Sequence, residues 1–480
     1  MRARPVAFIL SAIAAVSCAN ARSEAPPATP RITPRDCVVN GIEGPARCAT
    51  LNIAEGGGTA RQIPLRIIIL PAHNGAARPA PILPLAGGPG QGTASLAAFY
   101  GRRFGALRAD RDILLVDQRG TGESNGLYCP APPSAAELVG KLFDPARFAA
   151  CRDELSKRAD LTRYSTSAAA ADYRQVLDAL GYARVNVIGG SYGTRLGLEL
   201  ARQMPDRLRT LTLEGVVPTD FAWPTGGARD AEDALNAIVN DCKADPSCAQ
   251  EFPTLERDID RAFASLARPT MVTIHDPATG TSEDVPFTAN DLAYATRGLL
   301  YGMEALSLPK WFNEAAGGSF GRFAQAYINR ARNLDREIAD GVHFGVYCAE
   351  DLPRVDWTAA RAAAGGTRIG TYLIDQYRAV CDLWPRARVP TSFFDPVRSQ
   401  VPTLIMSGRR DPVTPPRTAT GVARNLPLSR VLIWKYGGHG SDGIADRACR
   451  SKIIDVFVQT AEPANVPAGC MEAPALPFNR

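Results

Sequence analysis

The sequence predicts an α/β protein: a mostly parallel sheet covered by helices, interrupted by an inserted, mainly helical segment. Three observations predict it. Short apolar runs at Leu65 to Leu70, Ile82 to Leu85, Ile113 to Val116, Val185 to Ile188 and Leu211 to Leu213 each end in Gly, Pro, Asp or Glu. Mostly apolar runs of that length suit strands buried on both faces. Helical patterns separate them, and the strand pattern lapses near residue 219 and returns only at Val401 to Gly408 and Val431 to Trp434.

Taken in order, residues 1–21 read as an export signal. Arg2 and Arg4 form a basic start, Val6 to Val16 an apolar stretch too short to span a bilayer, and Ala19-Asn20-Ala21 a small-residue cleavage site. An alternative is that Ser17-Cys18 ends a degenerate lipobox and Cys18 carries a lipid anchor. Residues 22–35 are rich in Pro and Ala and read as a loose tether. Residues 36–218 form the first part of the sheet domain and 396–480 the second, with a helical cap at 219–395 that contains one hairpin, Met271 to Val285. Ser165 or Thr166 caps a helix reaching about Leu180, with Ala169, Tyr173, Val176, Leu177 and Leu180 on one face.

Composition excludes some functions. Fifty-four basic against 49 acidic residues leave +5 over 480 residues without a basic run, so no nucleic-acid partner is expected. Besides Cys18 there are ten cysteines, an even number in an exported chain, and five disulfides follow. Neighbours in sequence are the expected pairs: Cys37–Cys48, Cys129–Cys151, Cys242–Cys248, Cys348–Cys381 and Cys449–Cys470. No C-x-x-C and only four histidines leave zinc a poor reading.

The chemistry centres on Gly189-Gly190-Ser191-Tyr192-Gly193, where a buried strand turns into a helix. The motif alone is weak in a chain with 42 glycines, but its setting between strand and helix makes it a nucleophile's seat. A serine needs a base, and the base an orienting carboxylate. Asp411 follows the first returning strand and His439 the next, in Tyr436-Gly437-Gly438-His439-Gly440. His73, His275 and His343 follow no late strand; Asp382 and Asp442 are fallback acids. The Tyr192 N–H, with one from Gly87 or Gly88, would bind the oxyanion.

These residues carry a resemblance. Gly87-Gly88-Pro89-Gly90, Asp117-Gln118-Arg119-Gly120-Thr121-Gly122, Gly189 to Arg195, Cys348-Ala349-Glu350-Asp351, Arg410 to Pro416 and Gly437 to Gly440 resemble the prolyl iminopeptidase and tripeptidyl aminopeptidase-like branch of the α/β-hydrolases. The resemblance implies an α/β-hydrolase fold with a helical cap that excludes long chains. It also implies a Ser191–Asp411–His439 triad, an acyl-enzyme, no cofactor, and release of residues from the free N-terminus of short peptides. By similarity Glu350, with Asp351, would hold the substrate amine; helix capping or pairing with Arg354 is the plainer reading, and Glu214 a rival anchor. One departure is Ala86, where the family carries His before Gly-Gly-Pro-Gly. Arg119 is expected to be structural. A carboxylesterase or amidase on small non-peptide substrates is the alternative function, and an inactive binding module a third.

Overall fold

The computed structural model describes residues 31–56, 61–75, 79–473 and 475–479. The expected export signal, Cys18 and most of the tether lie outside them. The end of the tether is corrected: Ile32 donates its N–H to the Ala179 carbonyl, and Arg35–Cys37 is strand β1.

The remaining strands are β2 (Ala46–Ala54), β3 (Gln62–Leu70), β4 (Ile82–Leu85), β5 (Ile113–Val116), β6 (Val185–Gly190), β7 (Leu208–Glu214), β8 (Thr270–His275), β9 (Ser282–Phe287), β10 (Thr403–Gly408) and β11 (Ser429–Trp434). Among the described residues nine strands form one sheet in the order β1-β2-β3-β5-β4-β6-β7-β10-β11. The first three pairings are antiparallel and the rest parallel. Every residue of β4, β5 and β10 is buried, as a sheet covered on both faces requires. β10 lies against β7, so the chain leaves the sheet after β7 and rejoins it beside the strand it left.

The excursion is mostly helical. It contains the helices Gly227–Ala244, Leu255–Ser265, Ala289–Leu299, Leu308–Ala316, Gly321–Glu337 and Tyr372–Cys381, and β8 pairs β9 as the expected hairpin. Leu235, Ile238, Phe287, Phe312, Phe323 and Tyr327 make a hydrophobic core of its own. Two segments cross the expected boundary. Leu138, Val139 and Leu142, before β6, pack into the cap's core, while Val342, Phe344, Tyr377 and Trp384, inside the insertion, pack against the sheet's. The cap is thereby seated on the sheet by apolar contacts reaching both ways.

The ten described cysteines pair in sequence order, as expected. Five disulfides fit maturation in an oxidising compartment outside the cytoplasm. No helix among the described residues is long and apolar enough to cross a membrane.

Cys348–Cys381 ties the turn Tyr347–Asp351 to the helix Tyr372–Cys381 across a sequence separation of 33. Closing a loop of that length removes enough unfolded-chain entropy to contribute about 3–4 kcal/mol. Replacing both cysteines by Ala is expected to lower the urea midpoint accordingly; an unchanged midpoint would show that the bridge adds nothing.

Candidate active site

Ser191 stands between β6 and the helix Tyr192–Gln203 at φ 53° and ψ −124°, a conformation that costs a non-glycine residue energy and persists only where its surroundings enforce it. Two glycines make the turn possible. A Cβ on Gly193 would stand 2.2 Å from the Leu85 carbonyl oxygen, and one on Gly189 would stand 2.4 Å from that of Gly193. The Ser191 N–H donates to the Glu214 carbonyl at 2.9 Å, and the Thr194 hydroxyl to the Ser191 carbonyl at 2.6 Å. The turn is thus held by β4 on one side and the end of β7 on the other.

Asp411 follows β10 and His439 follows β11. The Asp411 carboxylate accepts from the N–H groups of Val413, Thr414 and Gly440 and from the Thr414 hydroxyl at 2.7–2.9 Å, and meets His439 Nδ1 at 2.9 Å. Burial pushes the Asp411 carboxyl up, but His439 and these donors hold it below its usual value. Burial favours neutral His439, yet Asp411 outweighs it and raises the imidazole to about 9. Tyr301 accepts the His439 N–H on its carbonyl at 2.8 Å, and the two rings lie 5.0 Å apart.

Ser191, Tyr192, Gly87, Gly88 and His439 line one cavity of about 950 Å³ between the strand ends and the cap. A Cβ on Gly87 would meet that of Ser191 at 3.2 Å, so the glycine loop passes directly over the serine. Asp117 secures the chain behind this loop, accepting from the N–H groups of Ala94 and Glu123. Arg119 is structural: its guanidinium makes two 2.6 Å bonds to Asp172.

Glu350 does not stand free in the cavity, which corrects its expected exposure to a substrate amine. Its oxygens accept from the Thr166 N–H at 2.7 Å and hydroxyl at 2.8 Å, and Arg195 lies 3.4 Å away. Asp351 lines the cavity but holds Arg195 at 2.8 and 2.9 Å and accepts the Trp223 N–H. Neither acid takes Arg354, which bonds the Asp220 carbonyl. Glu214 is likewise engaged, by Arg103 and Arg450. Burial pushes Glu350 up to about 7 against the pull of Arg195 and Thr166. Thr166 also contacts the Tyr192 hydroxyl at 3.0 Å, linking this cluster to the residue after the nucleophile.

His343, set aside in the sequence reading, turns out to be a brace. Its Nδ1 lies 3.0 Å from the Pro89 carbonyl and its Nε2 3.1 Å from the Tyr377 hydroxyl, and burial lowers it to about 4. The Ala339 N–H donates to the Gly90 carbonyl, so the cap grips the glycine loop at two points. Ala86 was the available signal, since a loop lacking its usual histidine needs support from elsewhere; its own N–H donates to the Thr93 hydroxyl.

A strained serine at a strand end, with a carboxylate-held imidazole beyond two later strands, defines a serine hydrolase. The chain matches the alpha/beta hydrolase fold family over residues 80–251 and the TAP-like protein family over residues 367–470. It is an α/β hydrolase with a TAP-like C-terminal part. Serine protease Hip1 of Mycobacterium tuberculosis (strain ATCC 25618 / H37Rv) is 25% identical over 304 residues, 58% of this chain and 56% of that protein. Proline iminopeptidase of Neisseria gonorrhoeae is 28% identical over 146 residues, 30% and 36% of the two chains. A putative carbamate hydrolase, RutD, of Variovorax paradoxus (strain S110) is 28% identical over 189 residues, 36% and 57%. The chain spans about half the length of the curated relatives it matches first.

Removing the Arg195 guanidinium would strand Glu350 and Asp351 in the interior. Arg195→Met is expected to cost about 3–5 kcal/mol at neutral pH. Part of that deficit returns as the pH is lowered, because Glu350, raised to about 7 by burial, then takes up a proton more readily than in the unfolded chain. Urea titrations at two pH values check this; a deficit independent of pH would mean the loss is one of packing.

Proposed function

We propose that this serine hydrolase is an exported aminopeptidase acting on short peptides with free N-termini. The observation that carries the reading is the cavity around Ser191 and His439, whose rim holds two exposed carboxylates that no ion pair engages among the described residues. Glu304 and Asp442 both line it and make no ion pair among the described residues. Both stand beside Gly302, where a Cβ would lie 3.1 Å from Glu304 Oε2 and 4.0 Å from the Asp442 Cβ. Asp442 is three residues from His439, near enough for its charge to favour the protonated imidazole. A substrate ammonium is the complement of such a pair, and a cleft walled on one side by the cap suits a short chain better than a folded protein. The likeness to proteins named as a serine protease and a proline iminopeptidase supports the same reading.

In this mechanism Ser191 Oγ attacks the scissile carbonyl while His439 takes its proton, and Asp411 stabilises the imidazolium. The Tyr192 N–H and one from Gly87 or Gly88 receive the oxyanion. The proton passes to the departing amine as the C–N bond breaks, and water releases the acyl-enzyme by the same steps. Glu350 and Asp351 act through Arg195 and Tyr192, as supports of the nucleophile's helix.

Chromogenic peptides of one to three residues, free or N-acetylated, are compared with p-nitrophenyl acetate. Acetylation is expected to lower kcat/KM by roughly 10–100-fold, the loss of a charge-assisted contact. Ser191→Ala should lower kcat by about 10⁴-fold or more on every substrate. Ester turnover with no peptide turnover would move the assignment to a carboxylesterase.

A pH profile tests the base. Only neutral His439 can accept the serine proton, so kcat/KM for p-nitrophenyl acetate, which has no amine to titrate, should rise with pH along a limb centred near 9. Asp411→Asn should move that limb down toward the ordinary imidazole value of 6.5. A wild-type limb already at 6.5 would mean that the aspartate does not govern the histidine.

A further inference from the structure

Five arginines line the cavity: Arg147, Arg195, Arg297, Arg322 and Arg330. Three are neutralised, Arg147 by Asp335, Arg195 by Asp351 and Arg322 by Glu314. Arg297 is not. It projects from the cap helix Ala289–Leu299, is 7% exposed, and makes no hydrogen bond or ion pair with any described residue. Its Nε is buried without a partner. What it touches is aromatic: its guanidinium lies 4.8 Å from the Trp223 ring and 5.5 Å from that of Tyr301. Arg330, from the helix Gly321–Glu337, lies 4.3 Å from the same Tyr301 ring and forms no ion pair among the described residues. Gly298 makes room for that crossing, since a Cβ there would stand 2.6 Å from Arg330 Cδ.

A buried guanidinium is retained at a cost unless something compensates it, and ring faces compensate weakly. The two cations also leave their mark on Tyr301: burial would raise its hydroxyl, yet Arg297 and Arg330 hold it below its ordinary value. Positive charge facing a cavity and unpaired with any carboxylate is complementary to an anionic ligand group. A planar guanidinium suits a carboxylate in particular, which it can bind with two parallel N–H donors.

We propose that Arg297, supported by Arg330, is an anion subsite of this hydrolase that binds a carboxylate of the substrate. The proposal rests on the peptidase reading for the nature of that substrate and extends it: the enzyme acts on peptides short enough to present ammonium and carboxylate inside one cavity. The Tyr301 ring lies 5.0 Å from the His439 ring and 5.5 Å from the Arg297 guanidinium, so the two are no further apart than those contacts laid end to end. At about 3.3–3.6 Å per extended residue, that span places the carboxylate within roughly three residues of the scissile carbonyl. Its source is then the C-terminus of a di- or tripeptide, or an acidic side chain near the cleaved bond.

The experiment measures peptides as competitors of p-nitrophenyl acetate hydrolysis, so that it reads binding whether or not they are cleaved. Ala-Ala and Ala-Ala-Ala are used as free acids and as C-terminal amides, with Ala-Glu-amide against Ala-Gln-amide as the side-chain arm; product release is followed in parallel. In wild type the acid is expected to compete roughly 10–100-fold more tightly than its amide. Arg297→Gln should bring that ratio close to one, Arg297→Lys should keep part of it, and Arg330→Gln should reduce it. A preference confined to the Glu/Gln pair would assign the subsite to acidic side chains. Equal competition within every pair in wild type, Ala-Glu-amide against Ala-Gln-amide included, would overturn the proposal even if Arg297→Gln fails to fold, as would a preference that survives in a folded Arg297→Gln protein. Peptides cleaved with equal acid and amide constants would refute the subsite and keep the aminopeptidase. An Arg297-dependent preference without cleavage would keep the subsite and refute the aminopeptidase.

Discussion

A guanidinium taken out of water must be met by carboxylates and carbonyls, or the fold that buries it is penalised by several kcal/mol. Arg195 is buried to 1% exposure one helical turn after the nucleophile, and its partners are Asp351, Glu350 and the carbonyls of Pro218 and Phe221. Two of these come from the cap and two from its entry segment. The helix that begins at Ser191 is therefore compensated only when the cap is in place. Apolar packing seats the cap broadly, but this cluster sets its register against the nucleophile. It also reaches Tyr192 through Thr166, so the residue that follows Ser191 is positioned by the same contacts.

The glycine loop is gripped by the cap in the same manner. His343 and the Ala339 N–H hold the Pro89 and Gly90 carbonyls. The cap is thus more than a lid over the cavity: it supplies the far wall, braces the loop expected to donate to the oxyanion, and fixes the nucleophile's helix. Its remaining charges then acquire meaning by subtraction. Once Arg195, Arg147 and Arg322 have their carboxylates, the charged groups around the cavity that form no ion pair among the described residues include Glu304, Asp442, Arg297 and Arg330, with charges of both signs.

Much of this was legible in the chain. The elbow, the Asp411 turn and the His439 loop are each written within about ten residues, because strained turns demand glycine locally and a triad member must follow a strand. Disulfide partners were legible because each pair bridges neighbouring elements, at most 33 residues apart. The burial of Glu350 was not legible because its partner Arg195 is 155 residues away, and nothing near Cys348-Ala349-Glu350-Asp351 announces it. Residues 138–142 fell to the wrong core for a similar reason: an apolar segment does not state which of two hydrophobic surfaces it will meet.

By itself, then, the sequence determined the α/β order of elements, the strand-to-helix turn that carries Ser191 and the strand ends that Asp411 and His439 follow. Those features follow from short-range periodicity and from steric demands between adjacent residues. Only the tertiary structure decided which charged groups are spent on the fold and which face the cavity. That distinction is a matter of pairing: an arginine on a helix looks the same in sequence whether a carboxylate 156 residues away neutralises it, as for Arg195, or only aromatic rings flank it, as for Arg297.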